Sequence, residues 1–403
     1  MMVTRKVFID TNKVSFMSFS SYFNSATIEI MHKLPNTKWL IYPDDVIPLW
    51  LANPDFLIAP EIKEALISAV NSSDLYYNTD LPAKTAMAEK INRVNKMQVE
   101  PSDIMITQGV DPHIWLAVRE ACSQGDEVIL TDPMYGEFNN VMNTLNTRPA
   151  YWELEMGDGY AFDTEKLKEL VGPKTKLIGV CNPHNPTGRV MTKEELTAIA
   201  DIAVDHKIKL YVDELWEDII FDERKHVTLA SLNSEVSELT STGWGVSKTF
   251  GVAGLYLGYL CTTNKTLLEN FRKHAKCIQR GSSTLSRAVA PVMLDETLDW
   301  WRREVMVHLH KIREICYKRF NEIEGVYFPM FEGTYVPFPR FSFSMSSKDL
   351  HEYLLRDAKV ALTPGSNYGA KGEGHLRICI ATSEEIINMT IDRIQASLTR
   401  LPK

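Results

Sequence analysis

At 403 residues the chain exceeds the size at which one hydrophobic core usually stops growing, so two domains, or one large domain with an appendage, are expected. Hydrophobic residues at 44% and charged residues at 24% are ordinary globular values and exclude disordered, collagen-like and disulfide-scaffold classes. A formal net charge of -8 excludes the clustered basic surface of a nucleic-acid binder.

Six cysteines (Cys122, Cys181, Cys261, Cys277, Cys316, Cys379) are scattered without a CxxC pair or a nearby histidine at ligand spacing. Neither zinc nor a disulfide framework is expected, no metal is assigned, and a reducing cytoplasm is the simplest location. Met1 to Phe23 carries Arg5, Lys6, Asp10 and Lys13 and lacks the apolar stretch of an export signal. No run approaches the roughly 20 apolar residues that cross a bilayer, so no membrane partner is expected.

In chain order, apolar runs at Ile104 to Ile106, Val128 to Leu130, Leu177 to Val180, Leu210 to Val212 and Leu257 to Cys261 alternate with helical patterns. That alternation predicts a mostly parallel sheet flanked by helices. Gly109 opens a helix for which Asp111 serves as N-cap and Pro112 as first residue. Thr192 and Glu195 form a capping box ahead of Leu196, Ile199, Ala200 and Ala203, whose spacing turns one apolar stripe toward the sheet. Beyond Gly281 the pattern changes to longer helices. An extended run over 333–343, a helix from Ser347 to Asp357, a strand from Leu376 to Ala381 and a final helix with Ile387, Ile391, Ile394 and Leu398 on one face follow. The expected architecture is α/β: a large domain over 52–290, and a smaller α+β domain made of 291–403 and 1–51, the latter including an N-terminal arm.

In an open α/β sheet, ligands sit beyond the carboxyl ends of the strands, and polar residues of interest fall at those ends. Lys248, in Ser247-Lys248-Thr249-Phe250, can form an imine with an aldehyde cofactor if part of its amine stays unprotonated; a solvated loop lysine is the plain alternative. Asp213 ends the run Leu210-Tyr211-Val212, where a half-buried carboxylate can keep a pyridine nitrogen protonated, or can simply mark the strand end with Glu214 as an ordinary surface acid beside it. The turn-forming segment from Cys181 to Arg189 places the Asn185 amide where it can bond a ring hydroxyl. Backbone N–H groups at Gly109 can hold a phosphate, although Asp111 puts a negative charge close to it. Tyr135 can stack on a planar ring or pack in the core. Arg377, a cation among apolar strand neighbours, can bind a carboxylate bidentately or face outward from an edge strand.

Taken in order, Asn185-Pro186-Thr187-Gly188, Asp213-Glu214 and Ser247-Lys248-Thr249-Phe250 with Gly254 and Gly258 beyond resemble the fold type I pyridoxal-phosphate family. The likeness is to class I and II aminotransferases and their carbon-sulfur lyase relatives, and runs from Ile47 to the end. It implies pyridoxal 5'-phosphate as cofactor, Lys248 as its imine-forming lysine and proton shuttle, Asp213 on the ring nitrogen, Asn185 on the ring oxygen, and Tyr135 stacked on the ring. It further implies phosphate binding by the amides of Gly109 and Val110, and Arg377, with Ala52 and Asn185, at the substrate. A homodimer with Tyr76 or Tyr77 reaching the neighbouring subunit's phosphate also follows. Three positions depart from the family pattern. Gly245 stands where a phosphate-binding Ser or Thr is usual, Tyr256 where an Arg is common, and Trp216 where a tyrosine is frequent, its indole N–H directed at the cofactor ring.

The resemblance implies transfer of an amino group from an L-amino acid to a 2-oxo acid, supported by Ala52-Asn53-Pro54-Asp55-Phe56 and by Gly372 to Arg377. Val46 to Trp50 and Glu332 to Tyr335 resemble the lyases instead, which leaves β-elimination from cysteine derivatives as the second reading. Gly245 and Tyr256 leave a third, a catalytically silent binding protein that keeps the fold.

Overall fold

A computed structural model describes residues 22–401 except 74, 158 and 280; the first 21 residues of the expected N-terminal arm lie outside the described residues. Its centre is a seven-stranded sheet. The strands are β1 (Ile104–Thr107), β2 (Glu127–Asp132), β3 (Arg148–Glu153), β4 (Thr175–Cys181), β5 (Lys209–Asp213), β6 (Thr240–Gly245) and β7 (Gly258–Cys261), in the order β1-β7-β6-β5-β4-β2-β3. All pairings are parallel except those of β7, which runs antiparallel to both neighbours. The chain therefore enters β7 at the same edge of the sheet at which the parallel strands end.

Helices cover both faces, as nearly continuous apolar strands require. Helix α1 (Asp111–Ala121) and helix α2 (Gly136–Leu145) belong to one apolar cluster with Leu130, Leu177 and Tyr211; α3 (Lys193–His206) closes the opposite cluster around Ile178, Val180 and Val212. The capping box forms as expected, with Thr192 Oγ1 accepting from Glu195 N at 3.2 Å and Glu195 Oε2 from Thr192 N at 2.7 Å. Gly179 lets α2 press onto the sheet, since a Cβ there would lie 2.6 Å from Leu130 and 2.9 Å from Phe138. A third cluster joins β7 to α4 (Asp299–Phe320), α5 (Ser347–Asp357) and α6 (Glu384–Leu398), and the predicted apolar face of α6 is buried.

Three expectations are corrected. Helix α1 begins at Asp111 itself, with Val110 as cap and no side-chain cap bond, so the Asp111 carboxylate is free to point elsewhere. The run over 333–343 is strand only at Arg340–Phe341, because Pro337 and Pro339 cannot donate to a ladder. Of Leu376 to Ala381 only Leu376–Arg377 is regular strand; beyond it Ile378, Cys379 and Ile380 donate to Pro337, Leu49 and Tyr335, segments that are not themselves strands. No described helix is long and apolar enough to cross a membrane.

Candidate active site

The loops at the carboxyl ends of β1, β2, β4, β5 and β6, with the entry to β7, converge on a cavity of about 240 Å³. Its lining contains Ala52, Gly109, Val110, Tyr135, Asn185, Asp213, Trp216, Lys248 and Arg377, so the structure brings together every predicted site residue except Tyr77. Tyr76 and Tyr77 are fully exposed and lie outside this cavity. Leu51, Gln108, Asp111, Leu215, Ser247, Ala253, Tyr256 and Leu257 complete the wall. Of these, Ser247 had a signal in its adjacency to Lys248. The apolar members had none.

Lys248 sits in the one-turn helix Ser247–Phe250 directly after β6. Its Nζ donates to Ala52 O at 2.8 Å and lies 5.4 Å from the Trp216 ring centre. Burial, reinforced by the charge of Arg377, lowers its pKa to about 8, so a useful fraction of free amine exists near neutral pH. The solvated-loop alternative is thereby set aside. Asp213 is buried at the end of β5, and one of its oxygens accepts from Leu215 N at 3.0 Å. Burial pushes its carboxyl up to about 7 against that hydrogen bond. Glu214 is no surface acid either: it is fully buried and accepts from Thr228 Oγ1, Leu229 N and Trp244 Nε1.

Arg377 faces inward, 6% exposed, and not outward from an edge. Its Nη1 donates to Asn185 Oδ1 at 3.2 Å, its Nη2 to Trp50 O at 3.1 Å, and the guanidinium lies over the Tyr368 ring. Its Nε is buried without a partner. Asn185 is held by a loop whose buried His184 bonds Thr131 Oγ1 at 2.9 Å and Thr187 Oγ1 at 2.8 Å. Half-buried Tyr135 donates to Asp111 Oδ1 at 3.3 Å. Burial, with Glu137 nearby, raises the Asp111 carboxyl above its usual range.

Packing explains one departure from the family pattern. A Cβ on Gly245 would lie 2.8 Å from Leu215 Cδ1 and 3.2 Å from Val110 Cγ2, so a hydroxyl-bearing residue there requires the Leu215 side chain to swing aside. Opposite it across the β6–β7 ladder is Gly258, where a Cβ would meet Gly109 O at 2.3 Å. Gly109 itself has φ +85°, which suits glycine. Tyr256 is 66% exposed at the rim. Trp216 is buried edge-on to Tyr335, ring centres 4.6 Å apart.

The donor set fits pyridoxal phosphate on its own evidence. A carboxyl raised by burial, an amine that burial leaves partly unprotonated, and a guanidinium face one cavity beside an open helix start. Among the described residues, Glu214, Glu217 and His226 come within metal-ligand spacing, but Lys90 pairs with Glu217, and Thr228 and Trp244 donate to Glu214.

The sequence model of the class I and II aminotransferases matches residues 44–394. The aspartate aminotransferase of Pyrococcus abyssi is 31% identical over 88% of this chain and 92% of its own length. The cystathionine beta-lyase PatB of Bacillus subtilis is 27% identical over 91% and 96%. Cystalysin from Treponema denticola, whose crystal structure contains pyridoxal 5'-phosphate, superposes with a TM-score of 0.87 at 26% identity, covering 91% of this chain and 96% of its own. The chain belongs to the class I and II aminotransferase family. It has the α/β architecture of fold type I, and its cofactor is pyridoxal 5'-phosphate.

Proposed function

We propose that the chain transfers the amino group of an L-amino acid to a 2-oxo acid, with Lys248 as the catalytic base and acid. The observation that carries this reading is the meeting of Lys248, Asp213, Asn185 and Arg377, from four separate segments, in one cavity. When bound, pyridoxal phosphate supplies an electron sink that acidifies the substrate's Cα–H. The Lys248 amine, part neutral near pH 8, takes a proton at Nζ and returns it, the Ala52 carbonyl orienting its lone pair. Asp213 pairs with the ring nitrogen, a cation that stabilises its ionised form. Asn185 and the Trp216 indole N–H hydrogen-bond the ring's polar edge, and Tyr135 covers one face. Gly109 and Val110 offer backbone N–H groups to the phosphate. Arg377, a guanidinium on the cavity wall, binds the substrate's α-carboxylate.

On this reading residues 52–290 form the cofactor-binding domain, and 1–51 with 291–403 the smaller one. The protein works as a homodimer: exposed Leu75, Tyr76, Tyr77 and Leu81 form a surface for a second copy, and Tyr76 or Tyr77 reaches the partner's phosphate. Among the described residues, five buried free cysteines suit a reducing cytoplasm.

The test is the absorption spectrum of the protein with pyridoxal phosphate, before and after a panel of amino acids. A visible band that requires Lys248 and is lost with some amino acid, with the matching 2-oxo acid released, is the expected result. Release of pyruvate and ammonia from cysteine derivatives with the band retained would replace transamination by β-elimination.

A further inference from the structure

Segment 50–55 carries no ionisable side chain before Asp55, yet its carbonyls collect three cations. Arg377 donates to Trp50 O at 3.1 Å, Lys248 to Ala52 O at 2.8 Å and Lys38 to Asn53 O at 3.0 Å. Two of these belong to the cavity; Lys38 does not line it. Lys38 is instead completely buried and paired at 2.9 Å with Asp55, whose side chain is equally inaccessible. The other Asp55 oxygen accepts from Trp39 Nε1 at 2.8 Å, and Lys38 O accepts from Trp50 Nε1 at 3.2 Å. Backbone bonds from Cys379 N to Leu49 O and from Asp55 N to Ala381 O fasten the same segment to the extended chain that carries Arg377.

A buried ion pair is a poor stabiliser compared with apolar residues of the same volume, so stability alone gives no reason for Lys38. Its geometry gives another. The ammonium joins a peptide carbonyl and a carboxylate two residues apart, within a segment whose other carbonyls meet the catalytic amine and the substrate-binding guanidinium. We propose that Lys38 is a positioning residue: through Asn53 O and Asp55 it sets the 50–55 segment at the height where the carbonyls of Trp50 and Ala52 hold Arg377 and Lys248. The inference rests on the roles given to those two residues above.

The experiment uses full-length protein loaded with pyridoxal phosphate, comparing wild type, Lys38→Met and the double variant Lys38→Met/Asp55→Leu. Lys38→Met alone leaves a buried, unpaired carboxylate and loses stability; the double variant removes both charges and keeps the fold. In the double variant the visible Lys248-dependent band forms, its pH midpoint moves, and KM for the amino acid rises roughly ten- to hundredfold while kcat changes less. A folded double variant with wild-type KM and wild-type band titration overturns the proposal and leaves Lys38 a structural group. Absence of any Lys248-dependent band in the wild type strikes the site assignment instead, and the inference falls with it.

Discussion

Around β4, β5 and the end of β6 the cavity gathers its charged groups: the Asp213 carboxyl in the field of the Lys248 amine and, reaching in from Leu376–Arg377, a guanidinium bonded to an amide and a carbonyl. Over β1 and the entry to β7 the wall is Gly109, Val110, Ala253 and Tyr256, with Asp111 as its one carboxylate and no lysine, arginine or histidine. The first half is built to handle a proton and a carboxylate. The second offers an anion only neutral donors, with a carboxylate close by. The difference teaches that the chemistry of this chain and its grip on the cofactor are separable, and each half can be tested alone.

The largest effect is expected from Lys248→Ala, which removes the proton carrier: the visible band disappears and turnover falls by about 10^4-fold or more, read by absorbance and product assay. Next, Arg377→Ala raises KM for the amino acid about a hundredfold, since charge-assisted bonds to its carboxylate are lost. It also relieves the repulsion that holds Lys248 down, so the amine titrates above about 8. A KM increase with an unmoved titration would separate the two residues and break the picture of one coupled half.

Asp213→Asn bears on stability. The folded carboxyl, raised to about 7, binds a proton between its ordinary value of 3.8 and 7 that the unfolded chain has released. Cofactor-free wild type therefore loses stability as pH rises through that window, and the loss is complete above it. The Asn variant avoids it, so its thermal midpoint exceeds wild type by several degrees at pH 8 and matches it near pH 4. The smallest effect belongs to the other half. Asp111→Asn keeps an acceptor for Tyr135 but removes the charge, so pyridoxal phosphate binds about three- to tenfold tighter while unphosphorylated pyridoxal is unchanged, read by fluorescence titration. Equal gains for both ligands would mean that Asp111 does not face the phosphate.

Much of this could be read from residues alone. Aliphatic runs mark β1, β2, β4, β5 and β7, and the strand-end rule puts Asn185, Asp213 and, after Trp244-Gly245-Val246, Lys248 at one end of the sheet. Two strands gave no such signal. The edge strand β3 reads Arg-Pro-Ala-Tyr-Trp-Glu and is mostly exposed, and β6 reads Thr-Ser-Thr-Gly-Trp-Gly, its strand character imposed by burial between β5 and β7. Gly243 has a packing reason that no pattern shows, because a Cβ there would lie 2.5 Å from His113 Nδ1. The Asp111 side chain, freed from capping by a helix that starts one residue earlier than expected, accepts from Tyr135 at the cavity wall, and the carbonyls of 50–55 act through atoms that every residue possesses.

Facing glycines at 245 and 258, with the Gly109 turn pressed on them, also constrain descent. A side-chain ligand at 258 would strike the backbone of the turn itself, whereas one at 245 requires the Leu215 side chain to swing aside and Val110 to give by a few tenths of an ångström. Tyr256, exposed at the rim, can be exchanged without displacing a side chain, for any residue that accepts its left-handed φ of 48°. A lineage drawn from this protein that came to hold its cofactor more firmly would therefore show its change at 256 first, then at 245, and at 258 last, an order of substitutions written by what each added atom must move.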